Sequence, residues 1–305
     1  RVVPAWAPAA PLPESEGMTS PQTVTPELRQ WIIEQAQAGC RPDAVLAAMR
    51  SSGWDEEVAL DALTHTLQSF LGSQAPALQM DKGLPPPVRV PEPALAGSPS
   101  TLWAHDREVK VLLTMHNPRV VVFGGLLSDD ECDALVDAAR PRMARSETVV
   151  NETGGNEVNA SRTSDGMFFG RGEIPICQVV EARIAALVHW PVVNGEGLQV
   201  LHYRPGAEYK PHHDYFDPAQ PGMAAVLRRG GQRVGTIVMY LNTPQQGGGT
   251  VFPDVQLEVA PIKGNAVFFS YDRPHAITRS LHGGSPVLAG EKWVATKWLR
   301  EGEFQ

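Results

Sequence analysis

The sequence predicts a mainly β protein with supporting helices, a β-sandwich or jelly roll, preceded by a small N-terminal three-helix bundle. Three observations carry that expectation. Short β-type runs recur from residue 101 to the end, with only two helical stretches among them. Unbroken helical periodicity is otherwise confined to residues 25–72. Between these regions, residues 73–100 hold seven prolines, including Pro85-Pro86-Pro87, and read as an extended linker.

In chain order, residues 1–24 are expected to be a disordered or non-native leader. The first 17 are rich in Pro and Ala and lack the cationic start and long apolar run of a secretory signal. Thr25 is a candidate N-cap, Pro26 suits the first helical position, and Glu27 suits the positive end of the helix dipole. Leu28, Trp31, Ile32 and Ala36 follow at helical spacing, and Gly39 is the expected stop. A second helix over 42–50 turns Val45, Leu46 and Met49 inward. Gly53-Trp54 breaks the pattern, and a third helix from Asp55 carries Val58, Leu60, Leu63, Leu67 and Phe70. Three short helices with a Gly-Trp turn resemble a ubiquitin-associated bundle, a resemblance that implies a protein partner for residues 25–72.

Residues 101–305 form the expected main domain. Strands are predicted over 108–115, 119–123, 197–203, 234–242, 266–271 and 292–299. Ser128, followed by Asp129, Asp130 and Glu131, should cap a helix that ends before Pro141. A second helix should run from Pro175 to about Trp190, with Val179, Ile184 and Leu187 on one face. Residues 151–161 and 216–231 are rich in Gly, Pro or Asn and read as mobile loops, with Arg228-Arg229 solvated.

The bulk numbers exclude some functions. The 305 residues, 42% hydrophobic, suffice for one large domain and a small one. A formal charge of −8 and a pI near 5.6 offer no basic face for nucleic acid. No run of 18 apolar residues exists, so no membrane span is expected. Cys40, Cys132 and Cys177 are odd in number and form no CxxC, which suggests reduced thiols and a cytoplasmic protein.

The segment Tyr209-Lys-Pro-His-His-Asp-Tyr215 places His212 and Asp214 two apart. On a strand, such residues share a face, so an imidazole and a carboxylate can meet one ion, while His213 points away. The third ligand must come from elsewhere, and His275 and His282 are the candidates. Two His and one carboxylate on one face of an octahedral metal leave three positions open, the facial triad of non-haem Fe(II) oxygenases. Two of these suit a bidentate 2-oxo acid and the third suits O2. The far carboxylate of such an acid then needs a cation. Lys292 lies ten residues beyond His282, whereas uncharged Ser285 lies ten beyond His275, so His282 is the expected ligand.

With these residues in place, 115–303 resemble the catalytic domain of prolyl 4-hydroxylases. The matching pieces are Leu198-Gln-Val-Leu-His-Tyr-Arg-Pro-Gly-Ala-Glu-Tyr-Lys-Pro-His-His-Asp214, Met239-Tyr-Leu-Asn242, Gly247-Gly-Gly-Thr-Val-Phe-Pro253, Gly264-Asn-Ala-Val-Phe-Phe269, and His282 through Pro286-Val-Leu-Ala-Gly-Glu-Lys-Trp-Val-Ala-Thr-Lys-Trp298. The resemblance implies a double-stranded β-helix (jelly roll). It implies Fe(2+) on His212, Asp214 and His282, with 2-oxoglutarate as co-substrate, O2 as oxidant and ascorbate as reductant. Lys292 would hold the distal carboxylate of the co-substrate, with Tyr203 and Thr250 as further contacts. Arg162, Trp298 and Tyr215 would face the substrate. The implied reaction is hydroxylation of a proline-containing peptide or protein, with succinate and CO2 as by-products. The presence of Asp214 argues against halogenation, because related halogenases lack that carboxylate.

Overall fold

The computed structural model describes residues 22, 24–37, 40, 42–74, 84–145, 148–149, 156–157 and 163–305. The chain divides into two compact units, with the boundary between Leu84 and Pro85.

The first unit contains the helices Pro26–Gln37, Pro42–Ser51 and Glu56–Gln74. Thr25 Oγ1 accepts the Leu28 N–H at 3.3 Å, and Asp55 Oδ1 accepts the Glu57 N–H at 2.9 Å, so both helix starts are capped. Gly53, with φ +87°, makes the left-handed turn after the second helix. Leu28, Trp31, Ile32, Val45 and Met49 meet in the core. The third helix keeps most of its predicted face: Leu63 is buried and Leu67 packs against the same core. Leu60 is the exception at 52% exposed, and Ala59 and Ala62 are buried beside Leu63. The Gly39 stop lies outside the described residues.

The second unit is built on two sheets. The larger runs in the order Thr101–Ala104, Arg107–Met115, Arg119–Gly124, Ala266–Ser270, Arg233–Tyr240, Lys292–Arg300, Leu198–Tyr203, Asp165–Phe169 and Ala144–Arg145. The smaller runs Leu257–Val259, Thr250–Phe252, His282–Gly284 and Tyr209–His212. One face of the larger sheet carries the helices Asp129–Ala139 and Pro175–Leu187. Cys132, Leu135, Val180 and Ile184 pack there on Val121, Val200, Ile237 and Ala295. The other face meets the smaller sheet through Leu201, Tyr240, Phe269 and Val294 against Phe252 and Val259. This is the double-stranded β-helix with its supporting helices.

The helix starts follow the sequence. Ser128 Oγ accepts the Glu131 N–H, and the Glu131 carboxylate accepts the Ser128 N–H, a complete capping box. Arg183 then ties the two helices together. Its buried guanidinium donates to Glu131 on the first helix and to Asp106 in the turn of the opening hairpin. Those hydrogen bonds hold the Glu131 carboxyl down at about 2.

Every residue of the strand Lys292–Arg300 is buried. Trp293, Ala295 and Leu299 face the helices, and Lys297 pairs with buried Glu181 of Pro175–Leu187 at 2.5 Å. The alternate residues face the smaller sheet. The strand is thus one wall shared by two compartments.

One expectation about irregular segments changes. The proline-rich stretch was expected to remain a linker through residue 100, yet residues 85–100 lie on the second unit. Pro91 and Pro93 are buried, and Val90 and Leu95 pack against the helix-side core. The Val88 N–H donates to Asp272 O and the Glu92 N–H to Val188 O, at 2.8 and 2.9 Å. A Cβ at Gly235 would stand 3.0 Å from the Pro91 ring, so this strap lies directly on a central strand. Prolines suit the role because their segment is already extended and surrenders little chain entropy on docking. A chain starting at residue 85 should therefore melt as a folded domain. One starting at 101 should lose roughly 2–4 kcal/mol and melt about 5–10 °C lower. Equal melting temperatures for the two truncations would contradict the docked strap. Residues 216–231 are largely exposed, Arg228 and Arg229 included, and are anchored at a few points. Phe216 and Met223 are buried, Gln232 exchanges hydrogen bonds with the Phe216 backbone, and Arg229 lies over Phe304 and donates to Gln305 O. Within 151–161, only residues 156–157 are described.

Candidate metal centre and co-substrate pocket

His212 is the last residue of its strand and His282 the first of the next strand in the smaller sheet, and the two pair directly in register. Antiparallel pairing thereby brings together two imidazoles 70 residues apart, with ring centroids 4.4 Å from each other. Asp214 completes the group. Its Oδ1 lies 3.5 Å from His212 Nε2 and its Oδ2 lies 3.4 Å from His282 Nε2. Ligand atoms of the three residues lie within 4.8 Å of one another, the one such group among the described residues.

The expected strand geometry accounts for only part of this. The strand ends at His212, and Asp214 sits in the bend that follows. Its position comes from side-chain bonding instead: the Thr236 hydroxyl donates to Asp214 Oδ2 at 2.7 Å and contacts the Tyr271 hydroxyl at 2.9 Å. His213 stands aside, stacked on Tyr215 with centroids 4.6 Å apart. His275 heads a short turn, its Nδ1 accepting the Ile277 N–H, and does not line the pocket.

The imidazoles are oriented for coordination. Nδ1 of His212 contacts the Lys210 carbonyl and Nδ1 of His282 the Ser280 carbonyl, each at 2.9 Å. A carbonyl only accepts, so each Nδ1 must carry the proton, which leaves each Nε2 lone pair aimed at the centre. Burial pushes the His282 imidazole down to about 4, against the pull of Asp214, so the ring is neutral near pH 7. Burial alone would raise the Asp214 carboxyl. The nearby His282, His212 and Arg233 outweigh it and hold the group well below the usual carboxylate range. Two imidazoles presenting Nε2 and a carboxylate are the donor set that a facial Fe(II) site requires.

Beside this group the pocket is walled by alternate residues of the larger sheet: Leu201 and Tyr203, Thr236 and Val238, then Lys292, Val294, Thr296 and Trp298. Lys292 and Tyr203 are direct cross-strand neighbours. The Lys292 side chain has no hydrogen bond or ion pair among the described residues, and its ammonium lies 5.3 Å from the centre of the Tyr203 ring. Burial brings this ammonium down to about 8, while Glu258 pulls weakly upward. The Tyr203 hydroxyl also lacks a protein partner among the described residues. A buried cation and a phenol, both open to one apolar pocket, fit the far carboxylate of a small dianion. Thr250 also lines the pocket, where its hydroxyl accepts from Tyr240 at 2.8 Å.

Trp298 lines the pocket with its ring face covered by Arg233, whose guanidinium carbon is 4.0 Å from the ring centroid. Tyr215 packs on His213 and on the edge of Tyr271 and does not line the pocket. Arg162 lies outside the described residues. The structure adds Thr236, Tyr271 and Tyr240, which the sequence reading missed. Thr236 had one signal: it is the lone hydrogen-bonding side chain within the buried run Val234-Gly-Thr-Ile-Val238, where a polar group must have a partner.

A facial triad between the sheets of a double-stranded β-helix, with a free buried lysine opposite it, defines a 2-oxoglutarate/Fe(II)-dependent dioxygenase. The family model for the 2OG-Fe(II) oxygenase superfamily matches residues 198–300, a span that includes the triad and Lys292. Prolyl 4-hydroxylase 5 of Arabidopsis thaliana is 40% identical over 210 residues, covering 62% of this chain and 70% of the relative. Prolyl 4-hydroxylase 1 of the same plant is 40% identical over 225 residues, covering 65% of this chain and 77% of the relative. The solved viral collagen prolyl hydroxylase from Paramecium Bursaria Chlorella virus-1, a 2OG complex, is 30% identical with a TM-score of 0.46, over 59% of this chain and 95% of that one. The chain belongs to the prolyl 4-hydroxylase family of 2-oxoglutarate/Fe(II) dioxygenases.

Proposed function

We propose that this enzyme hydroxylates C4 of a proline within a peptide or protein. His212, Asp214 and His282 would hold the iron, and Lys292, Tyr203 and Thr250 would hold 2-oxoglutarate. The observation that carries this reading is the Lys292 ammonium, without a hydrogen bond or ion pair among the described residues, buried in the same pocket as the triad and on the strand next to Tyr203. The substrate class follows from the relatives' names, prolyl 4-hydroxylases at 40% identity.

When bound, Fe(II) with 2-oxoglutarate and O2 supplies the oxidising power, and the co-substrate leaves as succinate and CO2. The chain supplies geometry. Lys292 and Tyr203 fix the far end of the dianion, so its 2-oxo acid end is directed toward the triad. Val238, Val294 and Leu201 exclude water between the two ends. Thr236 holds Asp214 so that its carboxylate keeps one orientation. Trp298, clamped by Arg233, forms a rigid wall on the substrate side. Ascorbate would restore the ferrous state after unproductive turnover.

Succinate release from 2-oxoglutarate, measured with Fe(II) and ascorbate and with proline-rich peptides present or absent, tests this reading. Peptide-stimulated succinate and a +16 Da product on proline are expected. Succinate without any proline product, but with modification of another residue or of a free amino acid, would replace the substrate assignment.

The helical unit of residues 25–72 is assigned a protein-binding role, on its ubiquitin-associated resemblance and its separate hydrophobic core. Removing residues 1–84 should leave turnover of short peptides unchanged while weakening capture of a ubiquitin-like partner.

A further inference from the structure

We infer that Asn242 is a positioning residue for Lys292; this rests on the reading of Lys292 as the anchor of the 2-oxoglutarate distal carboxylate. The strand Arg233–Tyr240 runs beside Lys292–Arg300, and its last ladder pair is Tyr240 with Val294. One more backbone bond, from the Leu241 N–H to Trp293 O at 2.9 Å, closes that side. Beyond it the chain bends away, and the backbone around Lys292 would lose its partner on this flank. The Asn242 side chain takes over. Its Nδ2 donates to Glu291 O at 2.8 Å and its Oδ1 accepts the Trp293 N–H at 2.6 Å. Those are the two peptide groups on either side of Lys292.

A primary amide carries a donor and an acceptor side by side, so it can stand in for a strand residue's own N–H and C=O. Its orientation is settled by the partners, because a carbonyl must face a donor and an N–H an acceptor. On the opposite flank Lys292 pairs with Tyr203. The lysine backbone is therefore gripped from both sides at the point where its strand begins, which is otherwise where a strand frays. A loosened start would swing the ammonium at the end of a four-carbon stem, and a small backbone shift becomes a large error at the charge. Asn242 itself does not line the pocket. Its effect on co-substrate passes through Lys292 alone.

The test is a double-mutant cycle read by direct binding. Affinity for 2-oxoglutarate would be measured by calorimetry on protein loaded with Zn(II), alongside pyruvate, a 2-oxo acid with no distal carboxylate. Asn242→Ala should weaken 2-oxoglutarate about tenfold, leave pyruvate binding unchanged, and raise the KM for 2-oxoglutarate with little change in the KM for peptide. In a Lys292→Ala background, Asn242→Ala should cause no further loss. Asn242→Asp keeps the acceptor for Trp293 but sets an oxygen against the Glu291 carbonyl. It should fall between wild type and Asn242→Ala, and it serves as the reporter if the alanine variant does not fold. Equal weakening of both 2-oxo acids, or an undiminished Asn242 effect without Lys292, would show a merely structural role and overturn the inference. If Lys292→Ala alone left 2-oxoglutarate binding intact, the anchor reading itself would fall instead.

Discussion

His282→Ala is expected to abolish 2-oxoglutarate turnover, by more than about a thousandfold, with parallel loss of iron at equilibrium. His282 supplies one of three convergent ligand atoms, and its direct partner across the sheet is His212. Removing it leaves a bidentate site, with buried Asp214 deprived of the imidazole 3.4 Å from its Oδ2. His275→Ala, seven residues earlier in the sequence, should retain most activity, because that ring caps a short exposed turn. His213→Ala should likewise retain the metal. Iron content and succinate formation on the three purified variants decide the matter. An inactive His275 variant beside an active His282 variant would reverse the ligand assignment.

Lys292→Ala should raise the KM for 2-oxoglutarate about 100-fold or more while leaving iron binding near wild type. The ammonium is buried, has no hydrogen bond or ion pair among the described residues, and faces the pocket that the co-substrate would fill. Truncating one side of a buried charge pair costs more than the pair's net worth, because the other charge is left unpaired. The residue also sets a pH dependence. Burial lowers the ammonium to about 8, so in the free enzyme it is mostly charged at pH 7 and mostly neutral above pH 9. Affinity for 2-oxoglutarate should fall as pH rises through about 8, approaching tenfold per unit. Pyruvate should not show that fall. An identical pH profile for the two acids would rule out Lys292 as its source.

The grouping of His212, Asp214 and His282 with Lys292 in one pocket was legible because each rests on a short-range rule. Two of the ligands share a seven-residue segment, and the choice of His282 over His275 needed only a charge at a fixed distance along the chain. Much of the larger sheet was legible too, since its central strands are short runs rich in β-branched and aromatic residues, and the Ser128 capping box marks its helix. What escaped the sequence was whatever depends on partners distant in the chain. Asp214 was expected to lie on a strand, yet it is held past the strand end by Thr236, which in turn meets Tyr271. No local pattern links those three residues. Residues 85–100 look like a linker because proline density records an extended backbone and says nothing about what that backbone touches. Leu60 misled for a related reason: helical spacing identifies a stripe, but the neighbouring helices decide which edge of it is covered.

The strand Lys292–Arg300, buried on both faces, has a consequence for how this enzyme tolerates change. Its pocket residues and its helix-facing residues alternate along one rigid rod, so neither set can vary alone. A substitution at Ala295 or Lys297, neither of which lines the pocket, should still shift Thr296 and Trp298 through the backbone they share. Variants altered in substrate preference should therefore arise on the helix side as readily as in the pocket. The helix Pro175–Leu187, which supplies Glu181 to Lys297, becomes a remote tuning surface for the reaction.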